Sequence, residues 1–254
     1  MDQEPAKLNR LLVTGGAERI GSYFIKPHAQ HYAIRMVDRV EWDTSKNGPF
    51  PGESHSVQDL SDFDTCRRLC DGMDAVIHLA ADPHPDAPFS YLLPNNFITT
   101  YRRFLGGARR RSKAPDLRLN HSRHRRLPRS CAGVPRDAHL AEEHVGRCKI
   151  YSENVGKYFA LTAGLPTICL RIGACIPLDM NVQLTEHDMK AYINPDELNQ
   201  LIVECLESHL PYSIVHATSQ NRRMRRDLTA SICAFDYHSK TDRFEIDQFK
   251  APTE

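Results

Sequence analysis

The chain has 254 residues, 41% of them hydrophobic, with 33 Lys and Arg set against 32 Asp and Glu. That length suits one large α/β domain or a main domain with a small lobe, and a net charge of +1 excludes a chain-wide electrostatic attraction to nucleic acid or membrane. No apolar run is long enough to span a bilayer; the polar start MDQEPAKLNR predicts no secretory signal, and a cytoplasmic location in which the eight cysteines stay reduced.

Leu11–Thr14 reads as a buried strand. The turn TGGAERIG follows it, then a helix over Ile20–Gln30. A strand, glycine turn and helix in this order aim backbone N–H groups and a helix dipole at a pyrophosphate. Ala33–Asp38 is a second strand ending in a carboxylate, which suits the hydroxyls of an adenosine ribose and disfavours a 2′-phosphate; that points to NAD, with a simple strand-end turn as the other reading of Asp38. His55–Asp59 is a short third strand, Phe63–Cys70 a helix closed by Asp71–Gly72, and Ala75–Ala80 a fourth, nearly all-apolar strand. Cys66 and Cys70 stand one helical turn apart, but no second ligand pair accompanies them, so no metal site is expected.

Between Tyr101 and Arg129 the pattern degrades into arginine-rich sequence, where only Leu117–Leu119 hints at a strand. Three readings stand for it: a solvated basic segment, a nucleic-acid-binding segment without a recognisable motif, or a local frame disturbance in the gene. Order returns with a helix over Cys148–Thr162 and a strand over Thr167–Ile172. Arg171 lies inside that strand, flanked by apolar residues, and calls for a carboxylate partner, either in a structural ion pair or, as the other reading, on the substrate. Asn194 as cap, Pro195 at the first position and acids in the first turn open a helix that runs to Glu207. Tyr212–His216 is a further strand, and the polar tail after Thr241 is expected to be loosely held. Strands alternating with helices define an α/β, doubly wound parallel sheet. Residues 1–175 are assigned to the dinucleotide-binding domain and 176–254 to a small C-terminal substrate lobe and tail.

The segments TGGAERIGSYFI, MVDR, VQDLSD, DAVIHLAADPHPDAPF, PNNFITTY, CKIYSENVGKYFA, LPTICLRIGACIP and NPDELNQLIVECL, taken together, resemble the extended short-chain dehydrogenases/reductases of the NAD-dependent epimerase/dehydratase group, and within it the uronate dehydrogenase-like branch. The resemblance implies a Rossmann-type fold and bound NAD. It implies Gly15, Ala17 and Gly21 lining the phosphate turn, Asp38 on the adenosine ribose, Asp59 and Leu60 by the adenine, Ala80 and Ala81 flanking the cofactor, and Asn96 supporting the active-site helix. Lys149 becomes the lysine that holds the nicotinamide ribose and assists catalysis. Ser122 becomes the serine that orients substrate, and His124 a substrate contact. Asn181, Gln183 and His187 fall where that branch faces the sugar carboxylate.

The implied activity is oxidation of a sugar or sugar acid at C1 with NAD as hydride acceptor. The implied partner is a small molecule, with no nucleic acid or membrane, and homo-oligomerisation stays open. Two other readings share the fold: a non-catalytic NAD-binding or interaction protein, and a nucleotide-sugar epimerase or dehydratase.

The chain departs from the family's pattern at four places. Glu18 replaces a glycine of the turn; a carboxylate held at the phosphates is expected to weaken NAD binding by about ten- to a thousandfold, and one that swings into solvent by less. Val145 stands four residues before Lys149, where the family has its proton-transferring tyrosine, so low or absent turnover is expected. Tyr151, though near, points to another helix face. Arg123 replaces an amide, and Arg225 and Arg226 replace aromatics.

Overall fold

Segments that are apolar at nearly every position need cover on both faces, and a parallel sheet between two helical layers provides it. The computed structural model describes residues 8–84, 86–108, 116–121, 144–180, 182–224, 226–235 and 237–248. Its main sheet has seven parallel strands: β1 (Arg10–Thr14), β2 (Ala33–Asp38), β3 (Ser54–Val57), β4 (Ala75–His78), β5 (Asp116–His121), β6 (Thr167–Ile172) and a last strand, Tyr212–Ala217. The order is β3-β2-β1-β4-β5-β6 and then the last strand. Chain direction across the sheet therefore reverses between β1 and β4, which opens a crevice at the carboxyl ends of those strands.

The helices between strands are α1 (Arg19–His28), α2 (Thr44–Asn47), α3 (Phe63–Cys70), α4 (Phe89–Leu92), which runs through a π-helical turn at Leu93–Ile98 into α5 (Thr99–Ala108), and α6 (His144–Ala163). Side-chain alternation divides the core between the two faces. Leu11 and Val13 join Phe24 and Ile25 of α1 and the even residues Ile168, Leu170 and Ile172 of β6. Leu12, Val37 and Val76 face the other way, onto Cys66, Leu69 and Cys70 of α3. Cys66 and Cys70 are therefore core residues; burial pushes the Cys66 thiol up to about 12, and its Sγ donates to the carbonyl of Leu60.

After β6 a two-stranded ribbon forms from β7 (Ala174–Cys175) and β8 (Tyr192–Ile193), with α7 (Glu186–Lys190) between them. The helix α8 (Pro195–Glu207) then returns to the main core, and the last strand, β9 (Tyr212–Ala217), closes the sheet against β6. Asn194 caps α8 through the N–H of Asp196, 2.9 Å away, as its Asn-Pro-acid opening predicts. Two short helices, α9 (Thr229–Phe235) and α10 (Arg243–Gln248), are the last described elements.

Two expectations are corrected. The arginine-rich stretch begins inside an ordered helix: α5 buries Arg103 with its guanidinium 3.7 Å from the centroid of the Phe104 ring. The tail after Thr241 is held in place as far as Gln248. The N–H and hydroxyl of Thr241 both bond to Glu197, 2.9 and 2.8 Å away, and Arg243 is 2% exposed. Among the described residues no helix is long and apolar enough to cross a membrane.

Candidate dinucleotide and substrate site

The turn after β1 is shaped by close backbone approach. Gly15 has φ +70°, a left-handed conformation, and a Cβ there would lie 2.7 Å from the amide nitrogen of Ala80 at the end of β4. A Cβ on Gly21 would lie 2.5 Å from Cα of Gly16, so the first turn of α1 can seat on the loop only with glycine there. The result places the N-terminus of α1 at the crevice between β1 and β4, a position suited to phosphates, while the N–H of Gly15 is spent on the carbonyl of Val37, 2.9 Å away. Ala80 and Ala81 are half-buried beside it.

Asp38 ends β2 beside this turn. Its carboxylate accepts from the N–H of Ala17 at 3.0 Å and of Arg39 at 2.7 Å, and it is half-buried beside the turn. The Arg39 guanidinium reaches across to the side chain of Asn95, 2.8 Å away, in the π-helical turn. A backbone cradle that a Cβ would fill, followed by a carboxylate with lone pairs to spare, fits an adenosine diphosphate.

Asp59 is exposed and spends its carboxylate on its own turn, accepting from the N–H and hydroxyl of Ser61, both at 2.8 Å. Those bonds hold its pKa below the usual value. The Leu60 side chain is buried in the α3-side core.

Glu18 takes the solvent-facing one of its two expected arrangements. Its backbone is extended, φ −76° and ψ 171°, a conformation open to any residue. The side chain makes no capping bond and is exposed, while the carbonyl accepts from the N–H of Ser22 at 2.9 Å. No glycine is required for the conformation at this position, and the carboxylate faces solvent, where its field is weak.

The opposite wall is built around Asn96, 2% exposed. Its Oδ1 accepts from the N–H of Asp82 at 2.7 Å, and its Nδ2 donates to the carbonyl of Asp82 at 3.0 Å. Its amide also bonds the thiol of Cys148 on α6, a group whose pKa burial pushes up. One side chain thus ties the segment after β4 to the helix that carries Lys149. Lys149 itself is 6% exposed.

Val145 occupies α6 one turn before Lys149. The Tyr151 ring packs on Phe97, centroids 4.8 Å apart, on a different face of the helix. One turn after Lys149, Glu153 receives both Nε and Nη2 of Arg171, at 2.9 and 3.0 Å; this is the carboxylate that the strand arginine called for. Thr14 and His78, on neighbouring strands, share a buried bond of 2.7 Å between Oγ1 and Nδ1.

Gln183 and His187 are exposed, His187 on α7. Ser122, His124, Arg123, Asn181 and Arg225 lie outside the described residues. Asp82 and Glu153 were not singled out from sequence: the roles they play depend on partners distant in the chain.

Fold and turn are those of a Rossmann-type α/β protein, with α6 tied to the segment after β4 beside the crevice. No family model matches the chain. The NAD-dependent glucose-6-phosphate dehydrogenase of Haloferax volcanii is 25% identical over 267 aligned positions, covering 93% of this chain and 95% of that protein. A uronate dehydrogenase of Pseudomonas putida is 28% identical over 224 positions, covering 84% and 78%. Among solved structures, the uronate dehydrogenase of Agrobacterium tumefaciens in complex with NAD superposes with a TM-score of 0.75 at 21% identity, covering 98% of this chain and 92% of that one, and shares its fold. The chain is thus similar in sequence to NAD-dependent sugar and uronate dehydrogenases and shares the fold of a uronate dehydrogenase.

Proposed function

We propose that this chain is an NAD-linked oxidoreductase of the extended short-chain type, acting at C1 of a sugar or sugar acid. The observation that carries the reading is the glycine turn packed on Ala80 with the Asp38 carboxylate at its side, in a chain similar over nearly its whole length to an NAD-dependent sugar dehydrogenase. Gly15, Ala17 and Gly21 would hold the phosphates, Asp38 the ribose of the adenosine, and Ala80 and Ala81 the wall of the crevice, with Asp59 and the backbone of Leu60 toward the adenine. Asn96 fixes α6, and Lys149 on it would hold the nicotinamide ribose and favour release of the substrate's hydroxyl proton. Ser122 and His124 are the proposed substrate contacts. NAD, when bound, supplies the hydride acceptor.

Residues 1–175 would form the cofactor-binding part and 176–254 the substrate lobe, in a cytoplasmic protein. Titration with NAD and NADH by calorimetry tests the cofactor. Absorbance at the NADH band over a panel of hexuronates, sugar phosphates and neutral sugars tests the reaction. Binding of neither nucleotide would overturn the reading.

A second reading, a non-catalytic NAD-binding protein, is favoured by one observation: Val145 occupies the turn of α6 before Lys149, where the reaction needs a phenol. Binding without turnover on the same panel would select it.

A further inference from the structure

Arg171 and His216 are direct partners across β6 and β9, so their side chains leave the same face of the sheet. They stand at the penultimate positions of their strands, at the carboxyl end where open α/β sheets receive ligands. On this face α6 supplies Glu153, and Arg171 takes both of its carboxylate oxygens. The loop after β9 brings a second guanidinium to the same place: Nη1 of Arg226 lies 3.4 Å from Nδ1 of His216. The neighbouring carboxylate, Asp227, is exposed and accepts from the N–H of Thr229 at 2.9 Å. Among the described residues no carboxylate pairs with Arg226.

A guanidinium that is half-buried beside another cation is costly unless a negative charge joins it. Burial, and then the charge of Arg171, bring the Arg226 pKa down to about 10. An oxyanion would complete this group: two oxygens of a carboxylate or phosphate match the fork of a guanidinium. Glu153 lies one helical turn beyond Lys149 on α6, on the same side of the helix, so the three basic groups sit one turn below the proposed reaction centre.

We propose that Arg226, with His216 and Arg171, forms an anion site at the carboxyl ends of β6 and β9 that takes the carboxylate or phosphate of an acidic sugar. The proposal deepens the sugar dehydrogenase reading and rests on it only in making the anion part of the substrate.

The test is calorimetric titration of the full chain with inorganic phosphate, glucuronate, glucose 6-phosphate and neutral glucose, in the wild type and in the variants Arg226→Gln and Arg226→Lys. Phosphate and at least one acidic sugar should bind, and glucose should bind at least about tenfold more weakly. Arg226→Gln should weaken the anions by about tenfold or more, Arg226→Lys by less, and NAD affinity should stay as it was. Arg226→Gln should also raise the melting temperature of the unliganded protein, because an uncompensated charge leaves; an arginine with a structural role would lower it.

Unchanged anion affinity in Arg226→Gln, or equal binding of glucose, overturns the proposal. Phosphate binding without either acidic sugar overturns its substrate half. If NAD binds and the anions do not, only the anion site fails. If NAD does not bind, the dehydrogenase reading fails, and the phosphate arm still reads Arg226.

Discussion

Asn199 on α8 donates its side-chain amide to the backbone carbonyl of Tyr23 on α1, 3.1 Å away. This carbonyl is the one that Pro27, four residues on and inside the helix, leaves without its helical donor. Two elements far apart in sequence are joined at a point where one of them has a missing N–H. Asn199→Ala should therefore cost about 1–3 kcal/mol, the penalty of a buried acceptor left unpaired. Pro27→Ala restores a donor within α1 and should make the Asn199→Ala change cheaper in the same background. Denaturant melts of the two single variants and the double variant check this; additive effects would show that the bond does not depend on Pro27.

Glu197 holds the C-terminal segment. Its carboxylate accepts from the hydroxyls of Ser219, Ser239 and Thr241 and from the N–H groups of Lys240 and Thr241. Burial alone would raise its pKa, but these donors outweigh it and leave the carboxyl below its ordinary 4.5. A depressed folded pKa contributes stability that is present in full above 4.5 and is lost as the pH falls through the folded value. Glu197→Ala should cost about 3 kcal/mol at neutral pH, and the gap to wild type should shrink on acidification below 4.5. Urea midpoints across that pH range read the trend. Limited proteolysis should find new cleavage after Thr241 in the variant.

Glu18 gives a prediction in which charge and bulk separate. The exposed carboxylate at the start of α1 repels a pyrophosphate only through solvent. Glu18→Gly and Glu18→Gln should each tighten NAD binding by about fivefold at low salt, and the gain should fade as ionic strength rises. A large gain confined to the glycine variant, insensitive to salt, would mean that the side chain itself blocks the cofactor.

The fold was legible where one local rule decided each residue. All six residues of Thr167–Ile172 are buried, and the Asn194–Pro195 opening of α8 carries its own cap. The helix α5 was hidden because Arg103 breaks the apolar spacing, and its burial rests on the face of the next residue's ring. The last helix was hidden because the polar segment before it is satisfied by Glu197, 44 residues earlier than Thr241. At the site, glycine spacing and the strand-end aspartate can be read directly, since each answers to backbone geometry. The direction of the Glu18 side chain and the clamp between Asn96 and Asp82 cannot, because they depend on the packed positions of separate segments.

The proposed reaction turns on position 145. A tyrosine there would stand at i−4 from Lys149 on α6, on the same face, and the lysine's charge would favour its phenolate. The described supports of α6 are in place: Asn96 ties it to the segment after β4, and Arg171 fixes Glu153 one turn further along. Val145→Tyr should therefore raise sugar-dependent NADH formation by about a hundredfold or more over the parent chain, the scale of a positioned general base. The gain should appear in kcat, with a rise in rate toward alkaline pH as the phenol ionises, while NAD affinity stays close to that of the parent. Lys149→Met in the same background should remove most of the gain and shift the pH profile upward. If Val145→Tyr binds NAD yet stays inactive on uronates, sugar phosphates and neutral sugars alike, either α6 does not present position 145 to the crevice or a second group, such as Ser122, is also out of place. Where Val145→Tyr is active, adding Ser122→Ala reads that second group: a further loss shows that Ser122 is engaged, and no difference shows that it is not.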